Sequence, residues 1–347
     1  MSGLAAGACP ECGETITPPG RFCEACGRDL SAPAVAVGTA SAAACPGCGS
    51  PQISADRYCD QCGRKAPSGR DHAELDLGGL AGVTDLGLRH HRNEDAMALA
   101  ATDTPSGPAA IAVVCDGVST SDQPDEASLA GAEAAARVLT AALRAGGDVA
   151  EASADAIAAA AAAVTDITDP GRPAAAAPAA TYVSAVITGA AVTVCWAGDS
   201  RAYWLPADPA CPAQRLTKDD SWAEELIAGG MPEAEAQASP QAHQITRWLG
   251  TDGGTQEPSV VRFEPPGDGV VLLCSDGLWN YRPEPADLAA LALPTALTDP
   301  LAAAAELVAF ALEAGGQDNI TVVLARFPRP PTADQPGNPG STPYEPA

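Results

Sequence analysis

Basic residues are scarce in this chain: 19 Lys and Arg stand against 44 Asp and Glu over 347 residues, giving a formal net charge of −25. A surface field of that sign repels phosphate backbones and anionic bilayers, so nucleic acid and membranes are excluded as default partners. An anionic substrate would need local help from bound cations or a few placed arginines. Long apolar runs are missing too. The longest, residues 157–164 (IAAAAAAV), is alanine-dominated and too short to span a bilayer. The N-terminus, MSGLAAGACP, has neither the basic start nor the apolar core of a secretory leader. A reducing cytoplasm is the expected compartment.

Cysteine, by contrast, is abundant and unevenly placed. Of 12 cysteines, eight fall within the first 62 residues as four C-x2-C pairs, while Cys115, Cys195 and Cys274 sit in apolar runs and read as buried thiols. Residues 9–28 (CPECGETITPPGRFCEACGR) and 45–64 (CPGCGSPQISADRYCDQCGR) share the spacing C-x2-C-x10-C-x2-C, an internal repeat. Each half offers four thiolates in two tight turns: Cys9, Cys12, Cys23 and Cys26, then Cys45, Cys48, Cys59 and Cys62. Four thiolates suit one tetrahedral zinc per repeat, and a closed site of that kind leaves no open position for substrate or water. The pair resembles a double zinc ribbon, so two structural Zn²⁺ ions and a partner-binding or regulatory role are expected.

The ribbons occupy residues 1–30 and 45–66, joined by an Ala/Ser/Gly linker at 31–44 and followed by a connector at 67–77. A large domain is expected over 78–327, and 328–347, rich in Pro, Gly and polar residues, reads as a disordered tail. Within 78–327 one pattern recurs. The run VVLLC ends in Ser275 and Asp276 followed by Gly277, IAVVC ends at Asp116 followed by Gly117, AVTVCWAG ends at Asp199, and Asp318 precedes ITVVLARF. Unbroken apolar runs of this length suit strands buried on both faces, which would deliver their terminal carboxylates to sheet ends. Residues 82–100 read as two short strands around a charged loop, and 181–205 as a three-strand meander with antiparallel neighbours. Alanine-rich helices are expected after Asp116 and over 149–167, and a Ser221-x-x-Glu224 capping box opens a helix in a mostly polar flap at 221–250. Strand groups separated by helices point to a layered α+β domain.

Asp95, Asp116, Asp276 and Asp318 would supply hard oxygen ligands without a competing Cys or His at the strand ends, which suits Mg²⁺ or Mn²⁺. Gly117 can add its carbonyl. Carboxylates so concentrated cannot all ionise without cations, and two ions a few Å apart would clamp a phosphoryl group for in-line hydrolysis.

At this point the chain resembles the PPM family, the metal-dependent type 2C Ser/Thr protein phosphatases. The matching blocks are TDLG with HHRNEDA, VVCDG, WAGDSRAY, LTKDDS, LLCSDGLW and GGQDNITVV, in family order from residue 84 to 323. The resemblance implies a central antiparallel β-sandwich flanked by helices, with a dimetal centre at one end whose activated water hydrolyses phosphoserine and phosphothreonine. It also implies that Asp116, Asp276 and Asp318 hold the metals with the Gly117 carbonyl, that Glu94 and Asp95 hold metal-bound water or complete the shell, and that Asn319 orients Asp318. Asp199 looks like the ligand of a third metal, or is held instead by pairing with Arg201. Phosphorylated proteins are the implied substrates, a Ser/Thr kinase an implied partner, and signalling the implied setting; the protein that meets the ribbons is unknown.

Three positions depart from the family pattern. The arginine that grips substrate phosphate is His90 here, with Arg89 and Arg92 nearby as substitutes; the Gly-Gly after the DG block is replaced by VSTSD; and a Gly-Thr-Thr block appears as Ala180-Thr181-Tyr182. A pseudophosphatase that keeps the fold and binds without turnover is therefore the alternative to an active enzyme.

Overall fold

Two antiparallel sheets carry the domain. The structure, a computed structural model, describes residues 34–35, 50, 52, 54, 59–62, 70–167, 177–189, 191–251, 253 and 258–327. Cys9, Cys12, Cys23, Cys26, Cys45 and Cys48 lie outside the described residues, as do residues 168–176 and the expected tail at 328–347. The first sheet runs β1 (Ala34–Val35), β4 (Asp95–Thr104), β5 (Gly107–Asp116), β6 (Tyr182–Ile187), β7 (Val192–Ala197) and β10 (Ser259–Phe263). The second runs β2 (His72–Asp76), β3 (Leu80–Asp85), β12 (Ile320–Phe327), β11 (Gly269–Cys274), β8 (Arg201–Pro206) and β9 (Gln214–Arg215).

Each sheet is covered on both faces, which explains why its strands read as unbroken apolar runs and not as alternating ones. Met97, Leu99, Val114, Val194, Leu273 and Val323 fill the space between the sheets. On the far side of the first sheet lie α1 (Pro124–Arg144) and α2 (Val149–Asp166), which bury Leu139, Leu143 and Val164 against Ile111. Burying a leucine such as Leu139 contributes about 1.5–3 kcal/mol. Pro124 starts α1 where its missing N–H costs nothing, and Asp148 caps α2 by accepting from the N–H groups of Ala150 (2.8 Å) and Glu151 (3.0 Å). On the far side of the second sheet, α5 (Asp276–Trp279), α6 (Pro285–Ala296) and α7 (Pro300–Ala314) bury Leu278, Leu288 and Leu307 against Leu272 and Leu324. The order is helix, sheet, sheet, helix. Two short helices, α3 (Trp222–Ala228) and α4 (Glu233–Gln237), gather a separate small cluster around Ala223, Ala236 and Ala242 in the expected flap.

Local expectations are refined or corrected as follows. Residues 82–100 hold the two expected strands around a charged loop, β3 and β4, and the two belong to different sheets, so the loop between them crosses the sandwich. The third strand of the meander leaves its neighbours as well: β7 stays in the first sheet, while β8 pairs with β11 and β9 in the second. Gly198 makes that crossing with φ +102, and a side chain there would strike Thr181, whose Cβ lies 2.8 Å from the Cβ position. The connector at 67–77 contains β2, and the linker at 31–44 contains β1. Helix α6 was not foreseen, since Pro294 lies inside it and a proline ordinarily interrupts a helical pattern.

Candidate active site

Every strand-end carboxylate singled out in the sequence arrives at one end of the sandwich. Asp95 opens β4, Asp116 closes β5, and the two face each other as paired residues of the ladder. Asp199 lies on the turn between the sheets, Asp276 opens α5 directly after β11, and Asp318 precedes β12. The backbone closes tightly beneath them. A Cβ on Gly277 would lie 1.9 Å from the Asn319 carbonyl, and one on Gly117 would lie 2.3 Å from the Pro124 carbonyl, so each DG pair needs its glycine for close approach.

The carboxylates repel one another in a place that water reaches poorly. Burial pushes Asp116 well above the ordinary carboxylate range, and the fields of Asp95, Asp276, Asp199 and Asp318 add to it. Asp276 is raised well above that range in the same way, by burial and then by Asp199, Asp318 and Asp95. Asp95 and Asp199 are each pushed up to about 7, again by burial first. Asp95 Oδ1 and Asp276 Oδ1 are buried with no hydrogen-bond partner among the described residues. Orphaned oxygens at the centre of mutually repelling carboxylates fit a divalent cation, the one partner that would satisfy both needs together. Among the described residues no three His, Cys, Asp or Glu side chains close into a finished cage. Hard cations of the Mg²⁺ type keep several waters and use one or two carboxylates each, so an open ring is compatible with them.

Asp95 is held by a relay that the sequence did not reveal. Ser275 Oγ and Thr321 Oγ1 each donate to Asp95 Oδ2 at 2.7 Å. Since the Thr321 proton goes to Asp95, Thr84 donates to Thr321 (2.7 Å), and Asn93 Nδ2 in turn donates to Thr84 (2.8 Å). Ser275 alone had a visible cue, its place directly before Asp276. Thr84 and Thr321 are ordinary strand residues in sequence, and their role exists only because β3 and β12 are paired.

Glu94 is buried and clamped. Arg92 Nε donates to its Oε1 at 2.8 Å and Ser119 Oγ to its Oε2 at 2.6 Å. Arg92 also reaches Asp125 at 3.5 Å, so this arginine, expected to grip phosphate, is committed to two carboxylates. His90 Nε2 lies 3.1 Å from Asp318 Oδ1, facing the carboxylate rather than the solvent. Arg89, His90, His91, Arg92, Glu94 and Ser119 line an open cavity of about 510 Å³ beside the carboxylates. Among the expected phosphate contacts, Arg89 is the exposed one not drawn into an ion pair with the described carboxylates nearby.

Two orienting roles differ from expectation. The Asn319 side chain accepts from the Glu94 N–H (2.7 Å) and donates to the carbonyls of Leu86 (2.7 Å) and Arg92 (3.2 Å); only its backbone N–H serves Asp318, at 2.8 Å. Asn319 therefore ties down the loop carrying Glu94. Arg201 does not pair with Asp199: it binds Asp219 through Nε (3.0 Å) and its terminal nitrogen (2.6 Å), and stacks 3.6 Å over the Trp279 ring. Trp279 donates its indole N–H to the Asp199 carbonyl at 2.9 Å and so fixes the turn that carries Asp199. In the ribbon region Cys59 is buried and Cys62 exposed.

Comparisons with known proteins fall into the same two parts. The family model described as "Double zinc ribbon" matches residues 9–63, a span that includes all eight paired cysteines. A curated relative, the serine/threonine phosphatase stp of Listeria innocua, is 34% identical over 146 residues, covering 42% of this chain and 55% of that protein. The chain thus spans about half the length of that relative. Among solved structures, the PPM Ser-Thr phosphatase MsPP from Mycobacterium smegmatis in complex with cacodylate matches with a TM-score of 0.53 at 27% identity, over 72% of this chain and 99% of that one. The catalytic domain of the serine threonine protein phosphatase PstP, in complex with two manganese ions, matches with a TM-score of 0.52 at 25% identity, over 71% and 97%. The domain has the PPM phosphatase fold. No helix among the described residues is long and apolar enough to cross a membrane.

Proposed function

We propose that this chain, a double zinc ribbon joined to a domain of PPM phosphatase fold, is a metal-dependent protein Ser/Thr phosphatase. The observation that carries the reading is the ring of Asp95, Asp116, Asp199, Asp276 and Asp318, buried or half-buried, mutually repelling, and with two oxygens left unpartnered. Two divalent cations, Mn²⁺ or Mg²⁺, supply when bound the charge that neutralises phosphoryl oxygens and acidifies a water nucleophile. The chain's own residues do the rest. Asp116, Asp276 and Asp318 would hold the cations with the Gly117 carbonyl, and Asp199 would hold a third. The Ser275 and Thr321 hydroxyls keep Asp95 aimed with Oδ1 towards the centre. Arg92, Ser119 and Asn319 fix Glu94, and Arg89 at the cavity rim meets the substrate phosphate. Phosphoserine and phosphothreonine in proteins are the substrates, the ribbons each bind a structural zinc and recruit a partner, and the compartment is the cytoplasm.

The test is hydrolysis of p-nitrophenyl phosphate and of a phosphothreonine peptide by the full chain with Mn²⁺, with Mg²⁺ and with chelator, beside Asp276→Asn. Turnover that needs metal and drops by at least about 100-fold in the variant is expected. Absence of turnover in folded protein that binds Mn²⁺ would overturn the reading in favour of a pseudophosphatase, for which the commitment of Arg92 and His90 to protein carboxylates would be the cause.

A further inference from the structure

We propose that Arg70, in the connector ahead of β2, is a positioning residue of the carboxylate ring, acting on Glu94 through Asp125 and Arg92. Its guanidinium donates to the Asp125 carbonyl at 2.5 Å and stands 3.8 Å from that residue's Oδ2. Arg92 approaches the other oxygen of the same carboxylate, 3.5 Å from Oδ1, and donates to Glu94 Oε1 at 2.8 Å. Arg70, Asp125, Arg92 and Glu94 thus form a row of alternating charges that starts in the connector and ends at the ring. Asp125 is placed by the fold and not by these arginines. It lies in the first turn of α1, where an acidic side chain is favoured, and the carbonyl before it, that of Pro124, packs against Gly117. The connector's backbone meets the same loop. The Asn93 side-chain amide donates to the Arg70 carbonyl (2.9 Å) and to Thr84 Oγ1 (2.8 Å), while its Oδ1 accepts from the Asp95 N–H at 3.1 Å.

Each member of the row decides what the next one does. Arg92 is half-exposed and touches two carboxylates, Asp125 and Glu94. With Arg70 in place Asp125 already has a cation, so Arg92 is left to Glu94. Without Arg70 the full charge of Asp125 competes with Glu94 for the same guanidinium. An isolated ion pair near the surface contributes little, whereas in a network of several charges the loss at one end is felt at the other. Pegging down the start of β2 would require no more than some nearby acceptor; Arg70 instead takes the carboxylate already shared with the clamp on Glu94. This role rests on the reading of the ring as a divalent-metal centre, and turnover is not needed for it.

Calorimetric Mn²⁺ titration of the full chain tests the role. Arg70→Ala should lower Mn²⁺ affinity about 3–10-fold, below the roughly 10–100-fold cost of losing a partner that touches the ligand directly, because Arg70 acts from one contact further out. Arg70→Lys, which keeps the cation, should lose less. Added to Arg92→Ala, Arg70→Ala should cost nothing more, since its side chain works through Arg92. In chelator, hydrogen exchange in a peptide that includes residues 92–95 should rise in Arg70→Ala while a peptide from α2 is unchanged, which separates a loosened loop from plain destabilisation. Mn²⁺ affinity untouched by Arg70→Ala, losses that multiply in the double variant, or a rise in exchange shared equally by α2 would each overturn the role. Failure of the unaltered chain to bind Mn²⁺ would overturn the metal-centre reading and this role with it.

Discussion

Thr321 and Asp95 are 226 residues apart in the chain and joined by a 2.7 Å hydrogen bond in which the threonine hydroxyl donates to Oδ2. The bond favours the ionised carboxylate, opposing the burial that pushes Asp95 up to about 7.

Thr321→Val keeps the shape and removes the donor. Asp95 should then hold its proton to higher pH, and Mn²⁺ affinity should fall by about 10–100-fold, the usual cost of losing an outer-shell partner of a metal ligand. The Thr84 hydroxyl also loses its acceptor, so stability should drop by about 1–3 kcal/mol. Calorimetric titration with Mn²⁺ and urea unfolding of the same variant measure both.

Stability without metal should fall as pH rises. Asp95 and Asp199 titrate near 7 in the folded chain and near the ordinary carboxylate value when unfolded, so between about pH 4 and 7 the folded state binds more protons. Raising pH through that window removes the protons that quench repulsion. Thermal unfolding in chelator should give a lower midpoint at pH 8 than at pH 5.5, with Mn²⁺ restoring the loss at pH 8. A midpoint in chelator that rises with pH would contradict the arrangement.

Arg89 and Arg92 should separate kinetically. Arg89→Ala removes an exposed cation at the cavity rim and should raise KM for a phosphopeptide with little change in Mn²⁺ affinity. Arg92→Ala releases Glu94, so it should lower kcat and raise the Mn²⁺ requirement with KM less affected. Steady-state kinetics at two Mn²⁺ concentrations distinguish these outcomes.

The buried pair Arg201 and Asp219 should be costly to break from one side. Asp219→Ala leaves the guanidinium over Trp279 without its carboxylate and should destabilise the domain by about 3–5 kcal/mol in urea unfolding. Since Trp279 also holds the Asp199 carbonyl, loss of third-site Mn²⁺ binding should accompany it.

The sequence by itself determined the repeat of cysteine pairs, the strands that end in carboxylates and the layered α+β class, while the sandwich was what the family resemblance implied. These are local: cysteine spacing sets a coordination geometry, and a doubly buried strand must read as an apolar run. The helix cap at Ser221 was legible for the same reason, since a cap is satisfied within three residues. Tertiary structure decided what the polar side chains do to one another. The sequence suggested Asp199 as a partner of Arg201, and the folded chain pairs it with Asp219 instead. Thr84, Thr321 and Ser275 became supports of Asp95, and Arg92 a clamp on Glu94, only when strands from both sheets converged. A hydrogen bond between residues far apart in the chain depends on distances that side-chain identity does not encode, so the identity of the carboxylates was readable and their support was not.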